Sequence, residues 1–180
     1  MPATSLVLTV LGADRPGLVE AIARVVADHD ANWLESRMAR LAGKFAGILR
    51  VEVDEAKADA LAAALRSLDD TGFEAIVSPD ATPASADSSP LLLLELFGAD
   101  HPGIVRAVSQ VLAGQAVNVE ELATETTIAA NFGQPVFHAK AKLRLPAGAD
   151  RAAAEGRLRE ALEAVAADLV VDITLAADAD

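Results

Sequence analysis

The stretch Gly12-Ala13-Asp14-Arg15-Pro16-Gly17 decides how this chain is organised, because it returns 86 residues later as Gly98-Ala99-Asp100-His101-Pro102-Gly103. Each copy follows a short apolar run and precedes a segment with the spacing of an amphipathic helix. The same offset relates three further pairs: Leu8 and Leu94, Val25 and Val111, Asn32 and Asn118. Self-similarity at a fixed period indicates a repeated structural unit. We therefore predict two copies of one small fold.

The charge balance argues against direct contact with nucleic acid. The 180 residues include 27 acidic and 15 basic side chains, and the net charge is −12 at pH 7. Such a chain repels a phosphate backbone instead of releasing its counterions. Aromatic residues make up 3% of the sequence, with no tyrosine, so no platform for stacking single-stranded bases is expected. A regulatory role would have to work through a protein partner or a small ligand.

The sequence predicts no metal, no cofactor and no membrane segment. It contains no cysteine, and His29, His101 and His138 do not have the spacing of a metal site. The first five residues lack a basic segment, and the apolar run that follows breaks at Gly12 before it could serve as a signal peptide. No stretch approaches the ~18 apolar residues of a membrane span. We expect a cytoplasmic protein.

The apolar run before each turn predicts a central strand, at residues 6–11 and 91–97. The even-numbered positions of both runs form one uniformly apolar face. The odd-numbered positions mix polar side chains with five apolar ones: Val7, Leu11, Leu91, Leu93 and Phe97. Large apolar patches are rarely left open on a monomer, so we expect association through these faces or through strand edges, as a homodimer.

Each turn predicts the start of a helix that lasts until about His29 or Gln115, with Pro16 and Pro102 at the first helical position. The rest of each unit predicts strand, strand, helix and strand, which completes the order βαββαβ. In the first unit these are a strand from Asn32, a strand at 44–53 after a tight turn, a helix at 55–68 and a strand at 73–77. In the second they are 118–127, 135–145, 150–166 and 168–175.

These elements divide the chain into residues 1–78 and 91–180, joined by a linker at 79–90 that is rich in Pro, Ala, Ser and Asp. The second unit is longer by about 11 residues before its last helix. The composition places that insertion in the loops at 128–135 and 146–150. The predicted fold class is α+β, with a four-stranded antiparallel sheet in each unit and two helices on one face of it.

The chemistry of the repeated turn suits a free α-amino acid. Backbone N–H groups at the positive end of a helix can bind a carboxylate. The carboxylates of Asp14 and Asp100 can accept hydrogen bonds from an ammonium group, and the amides of Asn32 and Asn118 can donate and accept. The purely structural alternative remains open, because glycine can provide backbone freedom, proline helix entry, and Asp or Asn local hydrogen bonds.

No motif predicts catalysis. The chain has no Gly-x-Ser-x-Gly elbow, no phosphate-binding Gly-x-x-x-x-Gly-Lys loop, no Gly-x-Gly-x-x-Gly and no His-Glu-x-x-His. We therefore predict a protein that is not an enzyme and has no catalytic residues.

The stretch from Leu6 to Arg40 resembles an ACT domain, through the apolar strand, the Gly-Ala-Asp-Arg-Pro-Gly turn and the segment 32–38. Two such units in tandem are similar to the glycine cleavage system transcriptional repressor family. This resemblance implies ferredoxin-like domains that pair edge to edge and bind small amino acids, such as glycine or serine, without catalysing a reaction. It also implies repression through a transcription-factor protein partner.

The resemblance, together with the turn residues, gives a candidate ligand-binding set. In the first unit it is Gly12, Ala13, Asp14, Arg15, Gly17, Leu18 and Asn32, and in the second Gly98, Ala99, Asp100, His101, Gly103, Ile104 and Asn118. Two other interpretations stay open. One is a regulatory module like those of formyltetrahydrofolate deformylase or phosphoserine phosphatase, although no phosphatase motif or hydrolase domain follows Leu175. The other is a dimerisation module whose ligand sites have degenerated.

Overall fold

The computed structural model describes residues 2–68, 72–80, 89–128, 135–165 and 169–175. The chain divides into two compact units, Met1–Ala84 and Ser85–Asp180. Most of the predicted linker at 79–90 and most of the loop predicted at 128–135 lie outside the described residues. The exact domain bounds therefore stay a prediction.

The first unit has the predicted order βαββαβ. Its elements are β1 (Ala3–Ala13), α1 (Leu18–Asp28), β2 (Asn32–Leu41), β3 (Lys44–Asp54), α2 (Ala58–Arg66) and β4 (Phe73–Pro79). The sheet order is β2-β3-β1-β4, and every neighbouring pair is antiparallel. A 3₁₀ turn at Glu55–Lys57 precedes α2, so the helix predicted from residue 55 begins three residues later.

The second unit repeats this topology. Its elements are β5 (Leu91–Ala99), α3 (Ile104–Gly114), β6 (Asn118–Ile128), β7 (Pro135–Arg144), α4 (Arg151–Val165) and β8 (Leu169–Leu175). The order β6-β7-β5-β8 is again antiparallel throughout. The carboxylate of Asp150 accepts hydrogen bonds from the N–H groups of Ala152 and Ala153, which fixes the start of α4. The structure confirms the predicted α+β, ferredoxin-like class.

Each unit has its own core between one sheet face and its two helices. In the first unit the even-numbered residues Leu6, Leu8 and Val10 are buried, as the alternation predicts. They pack with the buried face of β3 and with α1 and α2. The corresponding residues of β5 pack with α3 and α4. Because both helices of each unit pack on the same face of the sheet, the other face has no helix over it.

The turn between β2 and β3 shows how local chemistry sets the register. Ala42 and Gly43 both have positive φ, 48° and 77°, which is the backbone of a two-residue hairpin turn. The hairpin aligns Leu41 with Lys44, and β3 then pairs with β1 from Lys44 opposite Ala13 to Asp54 opposite Ala3. The predicted hairpin is confirmed.

The helix-free face of the second unit carries a polar cluster. The His138 ring contacts Glu95 Oε1 at 2.8 Å and Glu125 Oε1 at 3.1 Å, and it stacks on Phe97 with ring centroids 4.0 Å apart. Lys140 Nζ lies 3.2 Å from Glu95. Hydrogen bonds from His138 and then from Lys140 lower the pKa of Glu95 from its usual range. The ionised carboxylate is therefore favoured in the folded state.

This cluster predicts a pH effect that His138 controls. Because the folded-state pKa of Glu95 is depressed, its contribution to stability is present above the pKa of an unfolded glutamate, ~4.3, and is lost as the pH falls through the folded value. In His138→Ala we expect the pKa of Glu95 to rise toward that of a free glutamate. A carboxyl-detected NMR titration of both proteins measures it. An unchanged pKa in the variant would contradict the assignment.

Candidate functional site

The two repeated turns are held to their sheets by equivalent backbone hydrogen bonds. The Asp14 N–H donates to the Gly43 carbonyl at 2.9 Å, and the Asp100 N–H donates to the Pro135 carbonyl at 3.0 Å. Each bond joins the turn to the hairpin end of the neighbouring strands. The aspartates therefore lie at the same end of the sheet in each unit, the end with the β2–β3 or β6–β7 connection.

The glycine that ends each motif is required by backbone geometry. Gly17 has φ 90° and ψ 1°, and Gly103 has φ 95° and ψ −2°, which are left-handed values. With proline before it, this glycine occupies the third position of a type II turn. Residues in that conformation cannot continue a right-handed helix, so Pro16 and Pro102 precede the helices. Their prediction as first helical residues was wrong by about two positions.

No side chain caps the start of α1 or α3. The carbonyls of Gly17 and Gly103 accept the N–H of Ala21 and Ala107, each at 2.9 Å, so both helices begin regularly. The next side chains, Leu18 and Ile104, are buried in the cores and leave only their backbone for a ligand. N–H groups of the first helical turn form an anion-attracting end in both units.

The two aspartates differ in their neighbours. Arg40 of β2 forms an ion pair with Asp14 through Nε and Oδ2. Arg40 lies opposite Phe45, and the equivalent strand position in the second unit, opposite Phe137, is Thr126. Asp100 thus lacks the arginine that offsets the charge of Asp14. Arg40 was not among the predicted site residues, although the hairpin register places it level with Gly12, with Phe45 of β3 between them.

The side chains at the fourth position of the motif, Arg15 and His101, are solvent-exposed in both units. Arg15, with Glu20 and Arg24, lines an open concavity over the first turn of α1. Arg24 and Glu20 pair across that turn at 3.1 Å. In the second unit His101 contacts the Pro102 carbonyl at 3.3 Å. Each turn therefore keeps a basic or titratable side chain at its outer rim.

The structure does not bring the asparagines to the turns of their own units. Asn32 is the first residue of β2 and is level with Glu52 and Ser5, whereas the turn follows Gly12. Seven positions of β1 separate Ser5 from Gly12, about 23 Å at the usual rise per residue. Asn118 is displaced from Gly98 in the same way. Each asparagine therefore lies at the opposite end of the sheet, and a single unit cannot combine it with the aspartate.

Gly12 has a packing role. A Cβ at this position would lie 2.9 Å from the Gly72 carbonyl oxygen and 3.1 Å from Phe73 Cδ1. The missing side chain lets β1 approach the start of β4 closely. The structural interpretation of glycine accounts for this position without a ligand.

Among the described residues, no cluster of three or more His, Cys, Asp or Glu side chains has the geometry to hold a metal ion. No helix in that part of the chain is both long and apolar enough to cross a membrane.

The fold and the two turns define a class of protein. Residues 4–74 match the family model described as ACT domain. The match covers most of the first unit, which is therefore similar to an ACT domain. The second unit repeats the strand order and the glycine turn of the first.

One relative and two solved structures are similar to this chain over both units. It is 29% identical over 168 residues to the glycine cleavage system transcriptional repressor of Escherichia coli (strain K12), which covers 91% of this chain and 85% of that protein. It resembles the crystal structure of an unknown protein from Galdieria sulphuraria at 28% identity and a TM-score of 0.84, over 98% and 100% of the two chains. A solved structure assigned provisionally as a glycine cleavage system transcriptional repressor shares the fold at 17% identity and a TM-score of 0.70, over 97% and 99%.

The close approach at Gly12 predicts a cost for any side chain there. We expect Gly12→Ala to lower the free energy of unfolding by about 1–3 kcal/mol, because the backbone of Gly72 cannot yield as a side chain could. Gly156→Ala is the control, since nothing lies within 4 Å of its Cβ position in α4 and alanine favours a helix by about 0.5–1 kcal/mol. Urea denaturation compares the three proteins. Equal stability of Gly12→Ala and the wild type would refute the packing role.

Proposed function

We propose that this chain is a non-catalytic regulatory protein that binds a small α-amino acid at the turn of an ACT domain and acts through contact with a protein partner. The observation that carries the proposal is the repeated turn. In each unit it places an uncapped helix start and an aspartate at the same end of the sheet. An α-amino acid presents a carboxylate and an ammonium group, which match these two features.

The second unit offers the better ammonium site. In the first unit Arg40 competes with a ligand cation for Asp14. Thr126 replaces that arginine in the second unit, so an ammonium group near Asp100 meets no such competitor on β6. We therefore assign the primary site to the turn of residues 98–104, with the turn of residues 12–18 as a weaker one.

The position of the asparagines supports a site completed by a second copy. Antiparallel pairing of two β2 edges, or of two β6 edges, reverses one strand relative to the other. The start of one strand then lies beside the end of its partner, where the turn is. Asn32 or Asn118 of one copy would come near the aspartate of another, which neither can do within its own unit. An exposed strand edge is a natural template for such pairing.

Regulation through a protein partner agrees with the distribution of charge. The net charge is −12, and the basic run along β7 faces acidic neighbours. Lys140 pairs with Glu95 and Arg144 with Glu120. Positive charge on this strand is offset locally, which leaves little to attract a phosphate backbone. The Escherichia coli relative that aligns with 91% of this chain is named a transcriptional repressor. We propose a related role here, through a transcription-factor partner.

A dimerisation module with degenerate sites is the second candidate. The Asp14–Arg40 ion pair favours it for the first unit, because the aspartate there already has a cationic partner. A regulatory module of the kind found in formyltetrahydrofolate deformylase or phosphoserine phosphatase has no comparable support in the described contacts.

Ligand binding is tested at the aspartates. We expect titration calorimetry with glycine, serine and the other amino acids to find one that binds, and Asp100→Ala to weaken its binding by about 10- to 100-fold through loss of a charge-assisted hydrogen bond. Asp14→Ala should have a smaller effect because Arg40 already occupies that carboxylate.

Glu163→Ala is the control, because it removes the same charge from an exposed position on α4. Its affinity should equal that of the wild type. Unchanged affinity in both aspartate variants would leave the turns with a structural role only. No heat with any amino acid would favour the dimerisation module.

Self-association is tested by sedimentation equilibrium. We expect twice the 18.6 kDa of one chain at tens of micromolar protein. Leu41 on β2 and Ile76 on β4 are exposed by 79% and 65%, so a lysine at either position should leave the monomer fold intact. If the β2 edge pairs, Leu41→Lys should shift the mass toward one chain and Ile76→Lys should not. Leu41 and Ile76 both lie on the helix-free side of the sheet, on its two edge strands, so a shift in both variants would place the interface on that face.

A further inference from the structure

A cavity of about 30 Å³ lies between α3 and the sheet in the second unit. Buried side chains of Leu96, Leu112 and Phe137 line its inner part. Three exposed apolar side chains line its outer part: Val105, Val119 and Leu122, exposed by 43%, 39% and 53%. No lining residue is charged, and hydroxyl groups come from Ser109 and Thr124. The space is thus apolar, with polar groups on two side chains.

Comparison of the two repeats explains why the space exists. The strand registers make Trp33, Met38 and Leu49 of the first unit equivalent to Val119, Thr124 and Ala141. On the helix, the repeat offset relates Ile22 to Val108. All four residues are smaller in the second unit. In the first unit Leu49 and Ile22 are fully buried, and Trp33 and Met38 pack against the core, so the same volume holds side chains.

The size and polarity of the cavity indicate what it can hold. A water-sized group needs roughly 10–15 Å³ of such volume, so about two fit. A buried water also needs two to four polar partners, which the apolar inner part does not offer. Two methyl groups suit a space of this size and need no polar partner. They occupy the volume without a hydrogen bond and gain the free energy of leaving water.

We propose that the second unit binds the isopropyl end of a small branched aliphatic molecule in this cavity, with the molecule's polar end at Ser109 and Thr124. The chemical class includes branched-chain amino acids and branched short-chain acids and alcohols, which share that end group. The first unit lacks this subsite because Trp33 and Met38 occupy it. The proposal stands apart from the amino-acid site at the turns, which needs a carboxylate and an ammonium group.

The test uses the full chain labelled at its methyl groups and observed by NMR. The probes are L-leucine, 3-methylbutanoate and 2-methylpropan-1-ol, with glycine and acetate as ligands that lack the isopropyl end. We expect saturable shifts of the methyl groups of Leu94, Leu112 and Ala139 with the three branched probes. Tighter binding of L-leucine than of both other branched probes would identify an amino acid as the ligand, and equal binding of all three would show that the aliphatic end alone is recognised.

Filling the cavity should abolish this binding. Thr124→Met copies Met38 of the first unit, and Ala141→Leu copies Leu49, so either directs a larger side chain into the space. Met38 lies against Gly47, where the second unit has Ala139, so Ala141→Leu is the variant that needs no such glycine. Burial of two methyl groups corresponds to about a tenfold change in Kd, and we expect at least that loss in each variant. Thr127→Met is the matched control, because it makes the same change on β6 at a residue that does not line the cavity.

The outcomes separate clearly. Saturable shifts that disappear in Thr124→Met and Ala141→Leu but persist in Thr127→Met support the subsite. Absence of saturation with every branched probe overturns it, as do equal shifts with glycine or acetate. Binding that survives in both filled variants, with well-dispersed spectra, also overturns it. Loss of the turn site in Asp100→Ala leaves these shifts unchanged if the two sites are independent.

Discussion

Pairing of the first strand of each unit along its length with the third is the constraint on which the rest of the structure depends. In the first unit it runs from Ala3 opposite Asp54 to Ala13 opposite Lys44. This register places the even-numbered residues of β1 against the helices. It also brings the glycine turn to the hairpin end of the sheet, where the Asp14 N–H reaches the Gly43 carbonyl. A shift by one residue would reverse the faces and separate the turn from the hairpin.

The two units keep this frame and differ in what surrounds it. Both have an uncapped helix after a left-handed glycine. In the first unit Arg40 neutralises Asp14, and Trp33 and Met38 fill the space beside α1. The second unit has Thr126 in place of the arginine, and a cavity in place of the larger side chains. The two units thus share their backbone constraints and differ in the side chains beside the turn and the first helix.

Alternation and glycine chemistry made most of the fold predictable. The buried face of β1 and the hairpin at Ala42 and Gly43 depend on contacts within a few residues, which local pattern describes well. The helix start at Pro16 was misplaced because proline suits both a first helical position and a turn. The left-handed backbone of Gly17 decides between them, and it is visible only in the structure.

The sequence by itself determined that the chain is a repeat, that each copy is a βαββαβ unit, and that a glycine turn precedes a helix in both. These features depend on residue type and spacing. Only the tertiary structure decided that Asn32 and Asn118 lie at the far end of their sheets, that Arg40 reaches Asp14, and that a cavity opens beneath α3. The physical reason is that these relations join residues through strand register and side-chain volume. Equal spacing along a chain does not fix either quantity.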